Sequence, residues 1–257
     1  MPTTILLVRH GETEANVKGV LQGQSESDLT AKGRAQAMAL GRALTTKFLD
    51  ADGKPLHRGL APKIYTSDLR RTVDTSAAIA EAFLAAAGSA LTLAKDERLR
   101  ERRLGPFQGR TQAQCQRELP MLWTRFCADE EDLATSGSGD TALPAIEAKE
   151  AAANGGVEPY SELRARANSA LRDIAAAHDG AAVLVVSHGG FVHSAVSELA
   201  AIDFVPHIGN VSLTTFEVDD PAARDAPWRI GAIGEQLVHG DAVAALQTAN
   251  VDVLNRR

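Results

Sequence analysis

The chain has 257 residues, of which 44% are hydrophobic and 23% charged, and a formal net charge of -6. That length allows one sizeable core or at most two modest domains, and the composition is ordinary for a soluble globular protein. The negative balance argues against nucleic acid or an anionic membrane as the main partner, because phosphate-rich surfaces recruit Lys/Arg-rich faces. A small anionic substrate needs only a few local cations and stays open. Cys115 and Cys127 lack CxxC spacing and read as reduced thiols in a cytoplasmic protein. No apolar run approaches the ~20 residues of a membrane span. The first apolar run leads straight into Arg9-His10-Gly11-Glu12, which is not the pattern of a signal peptide.

In chain order, Thr3 to Val8 reads as a central strand, since a continuous aliphatic run suits a sheet covered on both faces. A polar loop follows from Glu14 to Asp28. Thr30 is placed to cap an Ala-rich amphipathic helix from Ala31 to Leu49. Asp50 to Pro62 is turn-rich. Lys63 to Thr66 is a short strand, Ser67 or Asp68 opens a helix that runs to Ala87 and stops at Gly88, and Leu91 to Leu93 is a third strand. This β-α-β-α-β alternation predicts an α/β fold with a mostly parallel sheet and helices on both faces.

Regularity lapses at Asp96. Gln112 to Cys127 is helical with a break or restart at Pro120, and residues 128–158 are acidic and then rich in Ser, Gly and Ala. Within them Pro144 to Ala151 has the pattern of a short helix closed by Asn154-Gly155-Gly156. A long irregular insertion of this kind predicts a partly mobile lid. A helix from Ser161 to Ala177, a strand from Val183 to Val186 and a helix from Phe191 to Ala200 follow. Val211 to Val218 alternates like a strand and pairs with Trp228 to Ile233, and Ala242 to Leu246 is a weakly helical tail. A single domain over residues 1–257 is expected.

The two aliphatic runs end alike. One delivers Arg9-His10-Gly11 and the other Ser187-His188-Gly189-Gly190. Ligands of open α/β sheets sit beyond the carboxyl ends of the strands, so two parallel strands would aim two imidazoles at one spot. The helix after Ser67-Asp68 adds Arg70 and Arg71, and amides at Gly189-Gly190, opening a helix, add anion-binding donors. Two histidines and two arginines suit a phosphoryl group, whose oxygens match guanidinium forks. There is no Walker loop and no carboxylate cluster for Mg²⁺, so side chains alone neutralise the charge; no metal and no cofactor is expected.

A neutral imidazole held through one ring nitrogen presents the other as a nucleophile. The leaving alkoxide then needs a proton. Glu101, flanked by Arg100, Arg102 and Arg103, is the candidate acid, with Glu12 as the fallback. Singly, each piece has an ordinary reading: a His-Gly in a structural turn, arginines on solvated faces. Convergence at equivalent strand ends carries the functional one.

Leu7-Val8-Arg9-His10-Gly11-Glu12-Thr13 resembles the signature of the histidine phosphatase superfamily, which includes phosphoglycerate mutases and fructose-2,6-bisphosphatase-like enzymes. The resemblance continues through Asn16, Gln22-Gly23, Leu29-Thr30 and Gly33. It resumes at Ser67-Asp68-Leu69-Arg70-Arg71 with Thr75, at Leu99-Arg100-Glu101 with Gly105 and Gly109, and at Ser187-His188-Gly189-Gly190. It implies a three-layer α/β/α sandwich, phosphoglycerate mutase-like, with a lid at roughly 100–160. By position it implies that His10 is the nucleophile that becomes phosphorylated and that Glu101 is the proton donor. Arg9, Arg71 and a protonated His188 grip the phosphoryl oxygens. Asn16, Gln22, Gly23 and Gly189 line the phosphate pocket, and Arg70 is peripheral.

The chain departs from that pattern in places. A position that is often basic in the family is Val20 here, with Lys18 nearby as the possible substitute. The family's Gly-Glu-Ser before the helix entering the second His strand is replaced by Pro159-Tyr160-Ser161-Glu162, which makes Glu162 the candidate for that role. Trp123-Thr124-Arg125 faintly echoes a mutase segment, but the second run reads His-Gly-Gly rather than the mutase's His-Gly-Asn-Ser, and the Gly/Ser-rich insertion does not promise a tight lid. The expectation is therefore a phosphatase acting on a small phosphate ester. The alternatives are a cofactor-dependent phosphoglycerate mutase and, less favoured because nucleophile and acid both survive, a non-catalytic phosphate-binding relative. Arg100, Arg102, Arg103 and Arg110 are four candidates for a second anionic group on the substrate, or else solvated charges. His57, His178, His193, His207 and His239 are expected at surface or structural positions.

Overall fold

The aliphatic runs ending at Arg9 and Ser187 are neighbouring strands of one sheet. The computed structural model describes residues 1–48, 59–128, 144–151, 153–202 and 205–237. Its strands are β1 (Thr3–Arg9), β2 (Leu60–Thr66), β3 (Thr92–Lys95), β4 (Ala182–Ser187), β5 (Leu213–Val218) and β6 (Arg229–Ile230). They form a sheet in the order β3-β2-β4-β1-β5-β6. The first four are mutually parallel, whereas β5 runs antiparallel to β1 and β6 antiparallel to β5.

Side chains alternate across a strand, and here both faces are covered. Ile5, Leu7, Val183 and Val185 enter one core with α7 (Tyr160–Ala176) and α8 (Gly189–Ala200). Leu6, Val8, Leu184 and Val186 enter the other with α2 (Ala31–Phe48) and α3 (Arg70–Ala87). The result is the expected three-layer α/β/α sandwich. Thr30 caps α2 as its side chain suggested, its Oγ1 accepting the Gly33 N–H at 2.9 Å.

Differences from expectation have local causes. The loop after His10 contains a short helix, α1 (Glu14–Val17), held by a reciprocal cap between Thr13 and Asn16. β2 begins three residues earlier than read, because Pro62 sits at a register shift where its missing N–H costs no ladder bond. β5 begins two residues late, since Val211 takes φ 55 and leaves the extended conformation. The region 100–160 contributes α4 (Gln112–Glu118), α5 (Pro120–Cys127) and α6 (Ala145–Ala151). They gather around Phe107, Cys115, Leu119, Leu122 and Trp123, a small core separate from the two at the sheet. The buried Glu147 carboxylate accepts the Leu122 N–H at 2.7 Å and ties α6 to the start of α5. The proposed mobility of the Ser/Gly-rich stretch and the helical tail at 242–246 fall on residues outside the described ones.

Candidate active site

Register places the site. Arg9 lies opposite Ser187 in the parallel β1–β4 pair, so the residues that follow leave the sheet together. The rings of His10 and His188 stand 5.4 Å apart, centroid to centroid, with 62° between planes, and both are buried. Two glycines let the loop carrying His10 lie against α2. A Cβ on Gly11 would stand 2.6 Å from the Gly33 carbonyl oxygen, and one on Gly33 would stand 2.0 Å from that of Glu12. Thr75 Oγ1 accepts the Gly11 N–H at 3.0 Å, and Asn210 Nδ2 donates to the His10 carbonyl at 3.0 Å. Val211 N–H donates to the Arg9 carbonyl at 3.0 Å from a left-handed conformation that a β-branched residue adopts at a cost.

Hydrogen bonds fix the two imidazoles in opposite tautomers. His10 Nδ1 lies 2.8 Å from the Gly11 carbonyl oxygen. A carbonyl only accepts, so Nδ1 carries the proton and Nε2 keeps its lone pair. Burial, and then the charges of Arg71 and Arg9, hold the His10 pKa well below its usual value. The ring is neutral near pH 7, as a nucleophile must be. At His188 the guanidinium Nε–H of Arg71 donates to Nδ1 at 3.1 Å. That nitrogen is therefore the acceptor, and the proton sits on Nε2, which is buried without a partner among the described residues. Burial and then Arg71 push its pKa well down. The arrangement with Arg71 donating to Nδ1 corresponds to a neutral His188, whereas protonation was expected for its grip on a phosphoryl group.

Arg71 is itself buried, and its Nη1 and Nη2 donate to the carbonyls of Ser25 and Gly23 at 2.7 Å each. Burial lowers its pKa to about 10, which leaves it charged near pH 7. Arg9 Nη1 donates to the Ile208 carbonyl, and its buried Nε has no partner among the described residues. Arg70 lies outside, pairing with Asp28 and Asp74.

Glu101 lies at the N-terminus of α8. Its carboxylate accepts the N–H groups of Arg102 at 2.8 Å, Gly190 at 3.0 Å and Phe191 at 3.1 Å. Any Cβ at position 190 would stand 2.5 Å from Glu101 Oε1. Of the amides expected to receive an anionic ligand, that of Gly190 is thus spent on Glu101. Glu12 is engaged elsewhere, with Lys32 at 2.7 Å and Thr30 at 2.9 Å.

The turn carrying Glu101 is braced from α7. Arg166 donates to the Glu101 carbonyl at 3.0 Å and to the carbonyls of Arg98 and Arg100. Its charge meets Glu158, almost fully buried, at 2.6 and 2.9 Å. Glu162, the residue singled out for the family's Gly-Glu-Ser role, is exposed. Glu158 takes the bracing position instead. The sequence hid this, because Glu158 lies two residues before the helix on the far side of Pro159.

These groups surround one cavity of about 490 Å³. Arg9, His10, Asn16, Gln22, Gly23, Arg71, Glu101 and Gly189 all line it, with His188 against Arg71 behind the wall. Asn16 Oδ1 accepts from Thr13 N–H at 3.1 Å and Asn210 Nδ2 at 3.4 Å. Val20, Leu104, Phe126, Tyr160 and Ile208 make the remaining wall largely apolar. His193 and His207 also line it, although surface or structural positions were expected for them. They are exposed at its rim, and no spacing in the sequence linked either to the strand ends. His178, by contrast, bonds Tyr65 Oη at 3.0 Å, away from the cavity. Lys18 is solvent-exposed beside Glu14 and does not replace a base at Val20. Trp123 and Arg125 are not among the lining residues. Asn210 was missed by sequence reading, for nothing local marks it. Among the described residues no group of three or more His, Cys, Asp or Glu side chains is placed to hold a metal ion, and no helix is long and apolar enough to cross a membrane.

Among curated proteins the chain is 30% identical, over 95% of its length and 86% of the relative's, to a metal-independent phosphoserine phosphatase of Arabidopsis thaliana. It is 29% identical, over 84% of its length and 80% of the relative's, to phosphoglycerate mutase-like protein 4 of the same plant. A solved mycobacterial glucosyl-3-phosphoglycerate phosphatase complexed with VO3 superposes with a TM-score of 0.63 at 26% identity, covering 89% of this chain and 97% of that one. The family model of the histidine phosphatase superfamily (branch 1) matches residues 5–224, and the chain belongs to that superfamily.

Proposed function

We propose that the protein is a phosphatase that hydrolyses a small phosphate monoester through a phosphohistidine on His10. The observation that carries this reading is the tautomer pair: a neutral His10 with a free Nε2 lone pair beside a neutral His188 with a free Nε2–H. The first is placed as a nucleophile at the cavity, and the second holds an unspent donor just behind its wall.

In the first step His10 Nε2 forms a bond to phosphorus and the bond from phosphorus to the ester oxygen breaks. Glu101, in its acid form, gives that oxygen its proton, and the alcohol departs. In the second step water attacks phosphorus and the P–N bond breaks. The Glu101 carboxylate takes the water's proton, which restores both residues and releases phosphate. The orphan Nε of Arg9, the orphan Nε2 of His188 and the charge of Arg71 stabilise the equatorial oxygens as charge builds there. Asn16, Gln22, Gly23 and Gly189 complete the pocket around the group.

A phosphatase is favoured over a mutase because Val20 puts an apolar wall where the family resemblance implies a base, and Trp123 and Arg125 are not among the cavity's lining residues. The named relatives include enzymes of both descriptions. Further elements of the reading are a single domain over residues 1–257 with a lid at about 100–160, no nucleic-acid partner and a cytoplasmic location. His10→Ala should lower hydrolysis of p-nitrophenyl phosphate by at least about 10⁴-fold, the scale of losing a nucleophile, while circular dichroism stays native. Activity surviving in that variant would refute the mechanism. A parallel 3-phosphoglycerate mutase assay tests the runner-up, and retention of activity in EDTA tests the side-chain-only site.

A further inference from the structure

The cavity has two kinds of wall, and the phosphoryl step uses only one of them. Arg9, His10, Arg71 and Glu101 stand at one end. Beyond them the lining is drawn from two hydrophobic cores. Leu104 and Phe126 pack against the small core of the insertion. Ile208 belongs to the core under α7 and α8, and Tyr160 packs against it. Val20 joins them from a loop clipped to the insertion, where the Leu21 N–H donates to the Arg110 carbonyl at 2.9 Å and the Gly109 N–H to the Leu21 carbonyl at 2.8 Å.

This wall is fixed before any ligand arrives. The ring of Phe126 lies 4.8 Å from that of Phe107 and 5.4 Å from that of Trp123, centroid to centroid. Arg102 links it to Tyr160, with Cζ 5.2 Å from the Phe126 centroid and 3.6 Å from that of Tyr160. Arg102 is only 4% exposed, its Nη1 is buried, and its Nε donates to the Glu158 carbonyl at 2.8 Å. Its guanidinium thus serves as a post on which two aromatic rings are mounted. The neighbouring arginines are occupied and are not among the lining residues: Arg100 pairs with Asp68 and Glu97, Arg110 with Glu118 and Glu150, and Arg103 with the carbonyls of Gly155 and Gly156. His193 and His207 are exposed at the rim, where water screens whatever they meet.

We propose that this part of the cavity is a subsite for an apolar leaving group, so that the substrate is the phosphate monoester of an alkyl or aromatic alcohol. This rests on the phosphatase reading above, because it takes the His10 end as the place of the phosphoryl group. Apolar surface held open to water is unfavourable until something covers it. Here it is concave, preformed and continuous with the phosphoryl end, so the part of the ester that leaves as the alcohol is what covers it. An anionic group lodged against Val20, Leu104, Phe126 and Ile208 would give up its water for no compensating partner among the described residues.

The test is a homologous series on the full chain: ethyl, butyl and hexyl phosphate, with 3-phosphoglycerate alongside. The three alkoxides differ little in basicity, so the series varies apolar contact and not the chemistry of departure. Wild-type kcat/KM should rise by about fourfold for each added methylene that reaches the wall. Hexyl phosphate should exceed 3-phosphoglycerate by about tenfold or more. Phe126→Ala should flatten the alkyl series, and Val20→Lys, which brings a cation to the wall, should shift the preference from hexyl phosphate towards 3-phosphoglycerate. A flat wild-type series, or a wild-type preference for 3-phosphoglycerate, would overturn the proposal even if neither variant folds. A Phe126→Ala series as steep as the wild type's would overturn it too. Failure of the phosphatase reading shows itself separately, as a wild type inert on p-nitrophenyl phosphate or as hydrolysis by His10→Ala.

Discussion

The two ends of the cavity are built differently. The end at His10 and His188 hangs on adjacent parallel strands, and almost every group there is fixed by a backbone partner: Gly11, Ser187, Gly23, Ser25 and Ile208 each engage a catalytic side chain or its main chain. The end at Arg102, Leu104 and Phe126 comes from the insertion, is largely apolar, and has its own small core. The lesson is a division of labour. The groups proposed for phosphoryl chemistry sit at the sheet edge, whereas the opposite end is built on a segment with its own small core.

Glu101 stands between the two ends and tests the division most sharply. Glu101→Gln should cost about 10²–10⁴-fold on esters with poor leaving groups and far less on p-nitrophenyl phosphate, whose leaving oxygen needs no proton. Equal loss on both would move the acid elsewhere. Next in size is the brace that holds its turn. Glu158→Gln leaves the half-buried Arg166 without its counter-charge and should lower stability by about 2 kcal/mol in denaturant titration. A loss below ~1 kcal/mol would show the pair to be replaceable.

The strand-end histidines make a pH prediction that the insertion end does not. His10 and His188 remain neutral in the folded protein with pKa values well below 6.5, whereas in the unfolded chain they bind protons near 6.5. Stability is therefore fully present above pH 6.5 and falls as the pH drops below it, by up to about 1.4 kcal/mol per pH unit for each imidazole. His178, also lowered by burial, adds in the same direction. Melting temperatures from pH 7.5 to 5 should show the decline, and His188→Asn should make it shallower; an unchanged profile in that variant would count against a buried neutral ring. The smallest effect is expected at Asn210. Asn210→Ala removes the donor to the His10 carbonyl and should reduce kcat about tenfold with little change in KM, as for one lost positioning hydrogen bond. A change in KM alone would make Asn210 a binding residue.

Much of the sheet edge was legible in the chain itself. Aliphatic runs long enough for a doubly covered strand, each broken by His-Gly, announce a parallel sheet and a shared site, since the period of burial is written in consecutive residues. The helix caps and Pro120 set further boundaries in the same way. What could not be read were contacts between residues far apart in sequence. Glu158 rather than Glu162 braces the turn of Glu101, because the chain folds back past Pro159 and only that geometry decides which carboxylate meets Arg166. His193 and His207 reach the cavity rim through the α8 turn and the loop before β5, with no motif to flag them.

The sequence by itself determined which residue types meet at the strand ends: two imidazoles, two arginines and an acid, enough for phosphoryl chemistry without a metal. Only the tertiary structure decided their states. The proton on His188 follows from Arg71 donating across 117 positions, and the buried guanidinium of Arg102 stacks on rings at Phe126 and Tyr160. Hydrogen bonds and stacking between distant segments fix protonation and leave donors unspent, and a linear chain carries no sign of either.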